Sequence, residues 1–100
     1  MREQVLGKND VLDRIRAMPK WSIQNGKLHR EAAFKDFRHA FGFMAEAALL
    51  SEKMDHHPDW SNTYNKVRID LFTHDAGGIT ARDLTRASEA ERLLTEAGGD

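Results

Sequence analysis

The stretch Asp59–His74, DWSNTYNKVRIDLFTH, decides the fold of this 100-residue chain. Two runs of strand-forming residues flank Tyr64-Asn65, which predicts an antiparallel hairpin with strands at Asp59–Thr63 and Lys66–His74. The second strand alternates between an aliphatic face and a more polar face. The aliphatic face is Val67, Ile69, Leu71 and Thr73, and the other face is Arg68, Asp70, Phe72 and His74. We expect the strand to stop there, because the alanine and two glycines that follow cannot sustain a ladder.

A second hairpin is predicted nearer the N-terminus. Asn25-Gly26 is a strong hairpin signal, because a type I′ turn needs positive φ at both central residues. The flanking strands are predicted over Trp21–Ile23 and Lys27–Phe34. Strands that arrive as hairpins form an antiparallel sheet, which commonly has one face packed on the core.

Three helices are predicted around these hairpins. Apolar spacing indicates a short helix over 9–18, capped by Asn9 or Asp10 and stopped by Pro19. The longest helical pattern covers Asp36–Met54.

The last helix is predicted over Thr80–Leu94, where Thr80 and Asp83 match a capping box. The tail after it, residues 97–100, is expected to fray. The predicted order is helix, two strands, helix, two strands, helix. The fold class is therefore α+β, with three helices on one face of a four-stranded antiparallel sheet, as a single domain over residues 1–100.

The long helix carries two apolar stripes. One is Phe37, Phe41, Met44 and Ala48, and the other is Phe43, Ala47, Leu50 and Met54. A helix with two apolar stripes buries two faces, so one stripe would cover the sheet and the other would meet a second subunit. The alternative is that both stripes lie in one wide core face.

Composition excludes several classes of protein. A net charge of −1 argues against nucleic-acid binding by bulk basicity, and the absence of cysteine excludes disulfides, thiolate zinc sites and a cysteine nucleophile. The uncharged stretches of the chain, such as Ala40–Ala45, are too short to span a bilayer. The N-terminus has no apolar signal region, so we expect a cytoplasmic protein that contacts neither membrane nor nucleic acid directly.

The histidines are the candidate catalytic groups. His56 and His57 follow the long helix, and His74 ends a strand. Histidine titrates near neutral pH and can both give and take a proton. The nearby carboxylates Glu52 and Asp55 would orient the rings. The remaining histidines have no companions in the sequence, and we interpret His29 and His39 as surface or interface residues.

Other interpretations of the same residues stay open. Loop histidines are usually only solvated, and Trp60 could be either a pocket wall or a core strand residue. Asp83 is explained by helix capping alone. A zinc site on three histidines is the rival chemistry, but no HxH or HxxxH spacing occurs, so we expect no metal.

Four runs of sequence carry a family resemblance. They are EKMDHHPDW at Glu52–Trp60, YNKV at Tyr64–Val67, THDAGGITARD at Thr73–Asp83, and FKDFRHAFGFM at Phe34–Met44. The combination closely resembles the pterin-4a-carbinolamine dehydratase family, and the resemblance extends over residues 21–87.

The resemblance implies an activity and a site. Family members dehydrate 4a-hydroxytetrahydropterin to quinonoid dihydropterin, without metal or redox cofactor, in recycling of the pterin used by aromatic amino-acid hydroxylases. The implied catalytic residues are His56, His57 and His74, with acid and base roles left open. Two further sets are expected beside them. The substrate-binding set is Pro58, Trp60, Thr73, Asp75 and Ala76, and the orienting carboxylates are Glu52, Asp55 and Asp83.

The resemblance also implies assembly into dimers or tetramers, through the sheet edge and the long helix, and a possible hydroxylase partner. A non-catalytic protein-binding module is the alternative function. It would use an apolar helix face made of Phe43, Ala47 and Leu50 instead of the histidines.

Overall fold

A computed structural model of the chain describes residues 4–100. The elements follow the predicted order α-β-β-α-β-β-α, with one short 3-10 turn, Ile15–Ala17, after the first helix. They are α1 (Lys8–Arg14), β1 (Ser22–Gln24), β2 (Lys27–Ala33), α2 (Phe37–Met54), β3 (Asp59–Thr63), β4 (Lys66–Leu71) and α3 (Ala81–Glu96). The α+β prediction is confirmed. Within residues 4–100, no helix is long and apolar enough to cross a membrane.

The two hairpins join through their inner strands into one antiparallel sheet, ordered β1-β2-β4-β3. Asn25 (φ 52°) and Gly26 (φ 75°) both have positive φ, as the type I′ turn requires. Tyr64 also has positive φ (52°) and turns the second hairpin. Both turns fall where the sequence predicted them.

The sheet has one covered face and one polar face. Leu28 lies opposite Leu71 and Ala32 opposite Val67, and all four side chains are buried in the core under the helices. The polar face includes His29, which is buried and lies between Asp70 (2.7 Å) and Glu31 (2.7 Å). The surface interpretation of His29 is therefore wrong, because its neighbours on the strands enclose it, and the interface interpretation stays a prediction.

The two stripes of α2 have different environments. Phe43 and Ala47 are buried against the sheet, whereas Phe37 and Phe41 are 45% and 55% exposed. The alternative of one wide core face is therefore wrong for this chain. The predicted partner-binding face is also wrong, because Phe43 and Ala47 belong to the core. The exposed apolar stripe is the other one, through Phe37 and Phe41. Leu49 is also exposed, at a helix position outside that stripe.

Several element ends differ from prediction by one or more residues, and two of these differences have a clear local cause. Helix α1 starts at Lys8 after Gly7, without a side-chain cap, so Asn9 and Asp10 lie inside it. Strand β4 ends at Leu71, because the chain after it turns back and Thr73 forms an isolated bridge with Gly78.

The C-terminal tail is ordered, and the prediction of fraying is wrong. Gly98 has φ 77°, and the Gly99 N–H donates to the Leu94 carbonyl at 2.7 Å, as in a Schellman ending. Asp100 then pairs with Ala33 through two backbone hydrogen bonds of 2.8 and 3.1 Å. Backbone pairing to β2 therefore orders the C-terminal tail, although the composition of that tail suggests disorder.

A buried ion pair joins the sheet to α3. Arg30 is 1% exposed, and its Nε donates to Glu91 Oε1 at 3.1 Å. The indole N–H of Trp21 donates to the same oxygen at 2.9 Å. Burial would raise the pKa of Glu91, but hydrogen bonds from Arg30 and Trp21 hold that pKa below its ordinary value.

Candidate active site

An open cleft of about 350 Å³ lies where the end of α2 meets the loop between β4 and α3. This volume is within the range of small-molecule sites. The cleft brings His56, His57 and His74 together. Its other lining residues are Asp55, Pro58, Asp59, Phe72, Thr73, Asp75 and Arg82.

His56 is placed by the way α2 ends. Asp55 adopts the left-handed conformation (φ 52°, ψ 43°), and the His56 N–H donates to the Ser51 carbonyl at 3.0 Å. The turn carries the His56 side chain inward, where it is only 7% exposed. Its Nε2 lies 2.5 Å from Oδ1 of Asp83.

Asp83 serves the helix cap and the histidine at once. Its Oδ2 accepts from the Thr80 N–H at 2.9 Å, which completes the predicted capping box, and from Thr73 Oγ1 at 2.8 Å. Asp83 therefore contacts the helix cap with one oxygen and the His56 imidazole with the other, so the capping and orienting interpretations of Asp83 are compatible. With Asp83 ionised, Nε2 of His56 carries the proton, which leaves Nδ1 as the nitrogen that can accept one.

His57 has a looser partner. Its Nε2 lies 2.9 Å from Oε1 of Glu52, and both side chains are largely exposed. The Asp55 carboxylate, in contrast, hydrogen-bonds none of the three imidazoles within residues 4–100. The residue contributes through its backbone instead, because its carbonyl accepts from Arg82 Nη2 at 2.7 Å. The orienting role predicted for Asp55 is therefore wrong, while Glu52 lies where an orienting group must lie.

His74 is exposed and contacts an aromatic ring. Its centroid lies 4.9 Å from that of Phe72 in an edge-to-face arrangement. Lys27 Nζ lies 5.8 Å from the same Phe72 ring. Phe72 is therefore the aromatic wall of the cleft, and the sequence signal for it was its position on the same strand face as His74.

The predicted substrate-binding residues divide into two groups. Pro58, Thr73 and Asp75 line the cleft, whereas Trp60 and Ala76 do not. Trp60 lies opposite Ile69 in the register, on the helix side of the sheet, and packs against the core. The prediction that Trp60 walls the pocket is wrong for that reason.

Two features of the cleft were missed by the sequence prediction. Arg82 lines the cleft and places a cation beside His56, on the first turn of α3. A second, smaller cavity of about 280 Å³ is also lined by His56 and Arg82. Among the described residues, no three ligand-type side chains are grouped as a metal ion would require.

Comparisons with known proteins point to one family. The family model described as "Pterin 4 alpha carbinolamine dehydratase" matches residues 4–93. A protein of Solibacter usitatus named "Putative pterin-4-alpha-carbinolamine dehydratase" is 52% identical over 88 residues, covering 88% of this chain and 93% of its own. A protein of Prochlorococcus marinus with the same name is 49% identical over 90 residues, covering 90% of this chain and 95% of its own.

A solved structure agrees with these relatives. The crystal structure of a "transcriptional coactivator/pterin dehydratase" from Brucella melitensis has a TM-score of 0.85 and 40% sequence identity to this chain. The match covers 90% of this chain and 98% of that one. The similarity therefore includes both the fold and the sequence over nine tenths of this chain.

Proposed function

Because this chain belongs to the pterin-4-alpha-carbinolamine dehydratase family, we propose that it dehydrates 4a-hydroxytetrahydropterin in the histidine-lined cleft. The product is quinonoid dihydropterin, and the substrate comes from pterin-dependent hydroxylation of an aromatic amino acid. One observation carries the proposal: three imidazoles border one cleft, and the buried one is backed by a buried carboxylate.

The reaction removes water across C4a and N5 of the pterin. The C4a–O bond breaks, the hydroxyl takes a proton and departs as water, and the proton on N5 is removed as the C4a–N5 double bond forms. The reaction therefore needs an acid at the departing oxygen and a base at N5. No net proton is consumed, so neighbouring imidazoles can exchange protons and return to their starting states.

His56 is the proposed base. Nε2 is held against Asp83, so Nδ1 is the nitrogen that accepts a proton, and Asp83 stabilises the imidazolium that forms. The proposed acid is His74 or His57, the two exposed imidazoles of the cleft. His74 is the better oriented of these two, because the Phe72 ring lies against it.

The direct test is an assay with freshly generated 4a-hydroxytetrahydropterin, following the rise of the quinonoid product. We expect the protein to accelerate dehydration well above the rate in buffer. A rate equal to that in buffer, from a folded protein, would refute the proposed activity.

We expect Phe72→Leu to raise KM about three- to tenfold, because aromatic contacts of this kind contribute about 0.5–1.5 kcal/mol beyond area burial. The leucine keeps an apolar wall but removes the ring face that lies beside His74. Steady-state kinetics in the dehydration assay measure the effect. Phe37→Leu is the matched control, because it makes the same change at an exposed position of α2 outside the cleft. An unchanged KM in the Phe72 variant would show that the substrate does not contact this wall.

The exposed stripe of α2 supports a second, compatible function in assembly. Phe37 and Phe41 leave apolar area in solvent on one helix face, which soluble monomers rarely do. The neighbour from Brucella melitensis also carries a coactivator name. We propose that this stripe binds a second copy of the chain, with the edge strands β1 and β3 available for further pairing.

Sedimentation velocity tests the assembly. We expect an oligomer at micromolar concentration, and Phe41→Glu should shift the sedimenting species to a smaller size, because it puts a charge in an apolar contact. Tyr64→Glu changes another exposed aromatic residue, in the β3–β4 turn, and serves as the control. A wild-type protein that sediments as a monomer would contradict the proposal.

A further inference from the structure

Arg86 is a buried arginine without an acidic partner in the described part of the chain. It lies on α3, is 2% exposed, and bonds only to α2. Its Nε and Nη2 donate to Ser51 Oγ at 3.2 and 2.6 Å, and Nη2 also donates to the Ala47 carbonyl at 3.0 Å. Within residues 4–100, Nη1 is buried and has no hydrogen-bond partner.

This arrangement is costly for the fold. Burial lowers the pKa of Arg86, since desolvation disfavours the charged form. The other fully buried arginine, Arg30, has Glu91 to balance its charge. Among the described residues, Arg86 hydrogen-bonds only to neutral oxygens of α2, and Glu89 on the same helix acts on its charge without forming a salt bridge.

Arg86 is linked to His56, the proposed base, through Ser51 and through its neighbour Asp83 on α3. Ser51, which holds the guanidinium through its hydroxyl, accepts the His56 backbone N–H through its carbonyl. Asp83, three residues before Arg86 on α3, holds the His56 imidazole. One buried face of α3 therefore contacts the backbone that carries His56 and also its side chain.

We infer that Arg86 is a positioning residue, which locks the last turns of α2 to α3 so that the His56 imidazole meets Asp83 in a single orientation. The inference rests on the proposed function for its catalytic consequence. Its structural part, the fixed position of His56, can be tested without turnover.

The test uses Arg86→Met, which fills the volume of the arginine stem without the charge. No polar atom is orphaned by this change, because Ser51 Oγ still donates to the Ala47 carbonyl at 2.7 Å. Apolar replacement of a buried charge is often neutral or stabilising. We therefore expect the melting temperature of Arg86→Met to stay level or rise, while kcat falls about tenfold or more, as misplacement of a catalytic group causes.

Two readouts separate positioning from general support of the fold. In the wild type we expect a single proton resonance for Nε2–H of His56, which broadens or moves upfield in Arg86→Met. We also expect the pH profile of kcat to change shape. Arg86→Lys should recover part of kcat, because one ammonium can reach Ser51 or Ala47 but cannot hold both in the same geometry.

Arg30→Met is the matched control, because it removes the other buried arginine far from the cleft. It should lower the melting temperature and leave kcat and the His56 resonance unchanged. An Arg86→Met protein with wild-type kcat and an unchanged resonance would overturn the inference, as would a loss of activity that only follows a lower melting temperature. If the wild type does not turn over the pterin, the proposed function fails, and the resonance still decides whether Arg86 positions His56.

Discussion

The double variant His56→Gln/His74→Ala is expected to lose at least a hundredfold of the enzyme-catalysed dehydration rate. Each histidine supplies a proton transfer of the proposed reaction, and such transfers contribute about 10²- to 10⁴-fold. Glutamine at position 56 keeps a donor for Asp83, so the buried carboxylate is not left without its partner. The loss of rate in the double variant then reflects the missing proton transfers and not a damaged fold.

Single variants are expected to lose less. The dehydration proceeds without a catalyst, and His57 remains in the cleft to supply a proton in the absence of His74. Initial rates of quinonoid formation, corrected for the rate in buffer, measure all three variants. His39→Ala is the control, because His39 is exposed and bonded to Asp36, away from the cleft. A double variant with wild-type turnover would rule out the assignment of these two histidines.

Glu91→Ala is expected to give the largest loss of stability, about 3 kcal/mol in the free energy of unfolding, because it leaves the buried Arg30 guanidinium without its counter-charge. For a domain of this size, that corresponds to a fall of about 15 °C in melting temperature. The variant also removes the acceptor of the Trp21 indole N–H. Denaturant unfolding at pH 7 measures the difference.

The pH dependence of this difference has a defined sign. The pKa of Glu91 is lowered in the folded protein relative to its ordinary value of 4.5, so the ion pair contributes fully above that pH. Its contribution is lost as the pH falls through the lower, folded-state pKa. The difference in the free energy of unfolding between wild type and Glu91→Ala should therefore be largest at neutral pH and should shrink in acid.

Glu96→Ala is the matched control on the same helix. Glu96 pairs with Arg92 on the exposed side of α3, where ion pairs contribute about 0.5 kcal/mol or less. An equal loss of stability in both variants would contradict the role given to the buried pair.

Much of the fold could be predicted because its signals are local. The Asn25-Gly26 turn, the alternation of Val67, Ile69 and Leu71, and the Thr80–Asp83 capping box each depend on residues a few positions apart. Where prediction was wrong, distant partners decided the outcome. The C-terminal tail is ordered by the backbone of Ala33, more than sixty residues earlier in the chain.

The candidate site was predicted less completely. The histidines could be selected from the sequence, because their residue type, their neighbours and the family resemblance agreed. The aromatic wall was assigned to the wrong residue. Trp60 and Phe72 are both aromatic residues beside the site, and although Phe72 shares a strand face with His74, the register shows that Trp60 faces the core. Asp55 and Asp83 differ in the same way, because a carboxylate orients an imidazole only if the fold brings the two within hydrogen-bonding distance.

The sequence by itself determined the order of elements, the two hairpin turns, and the residue types able to move protons near neutral pH. These properties follow from backbone preferences and side-chain chemistry, which each residue or short segment carries with it. Only the tertiary structure decided that Asp83 holds His56, that Arg86 contacts the end of α2, and that Phe37 and Phe41 remain in solvent. Contact between distant segments depends on how the helices pack on the sheet, and no local pattern contains that geometry.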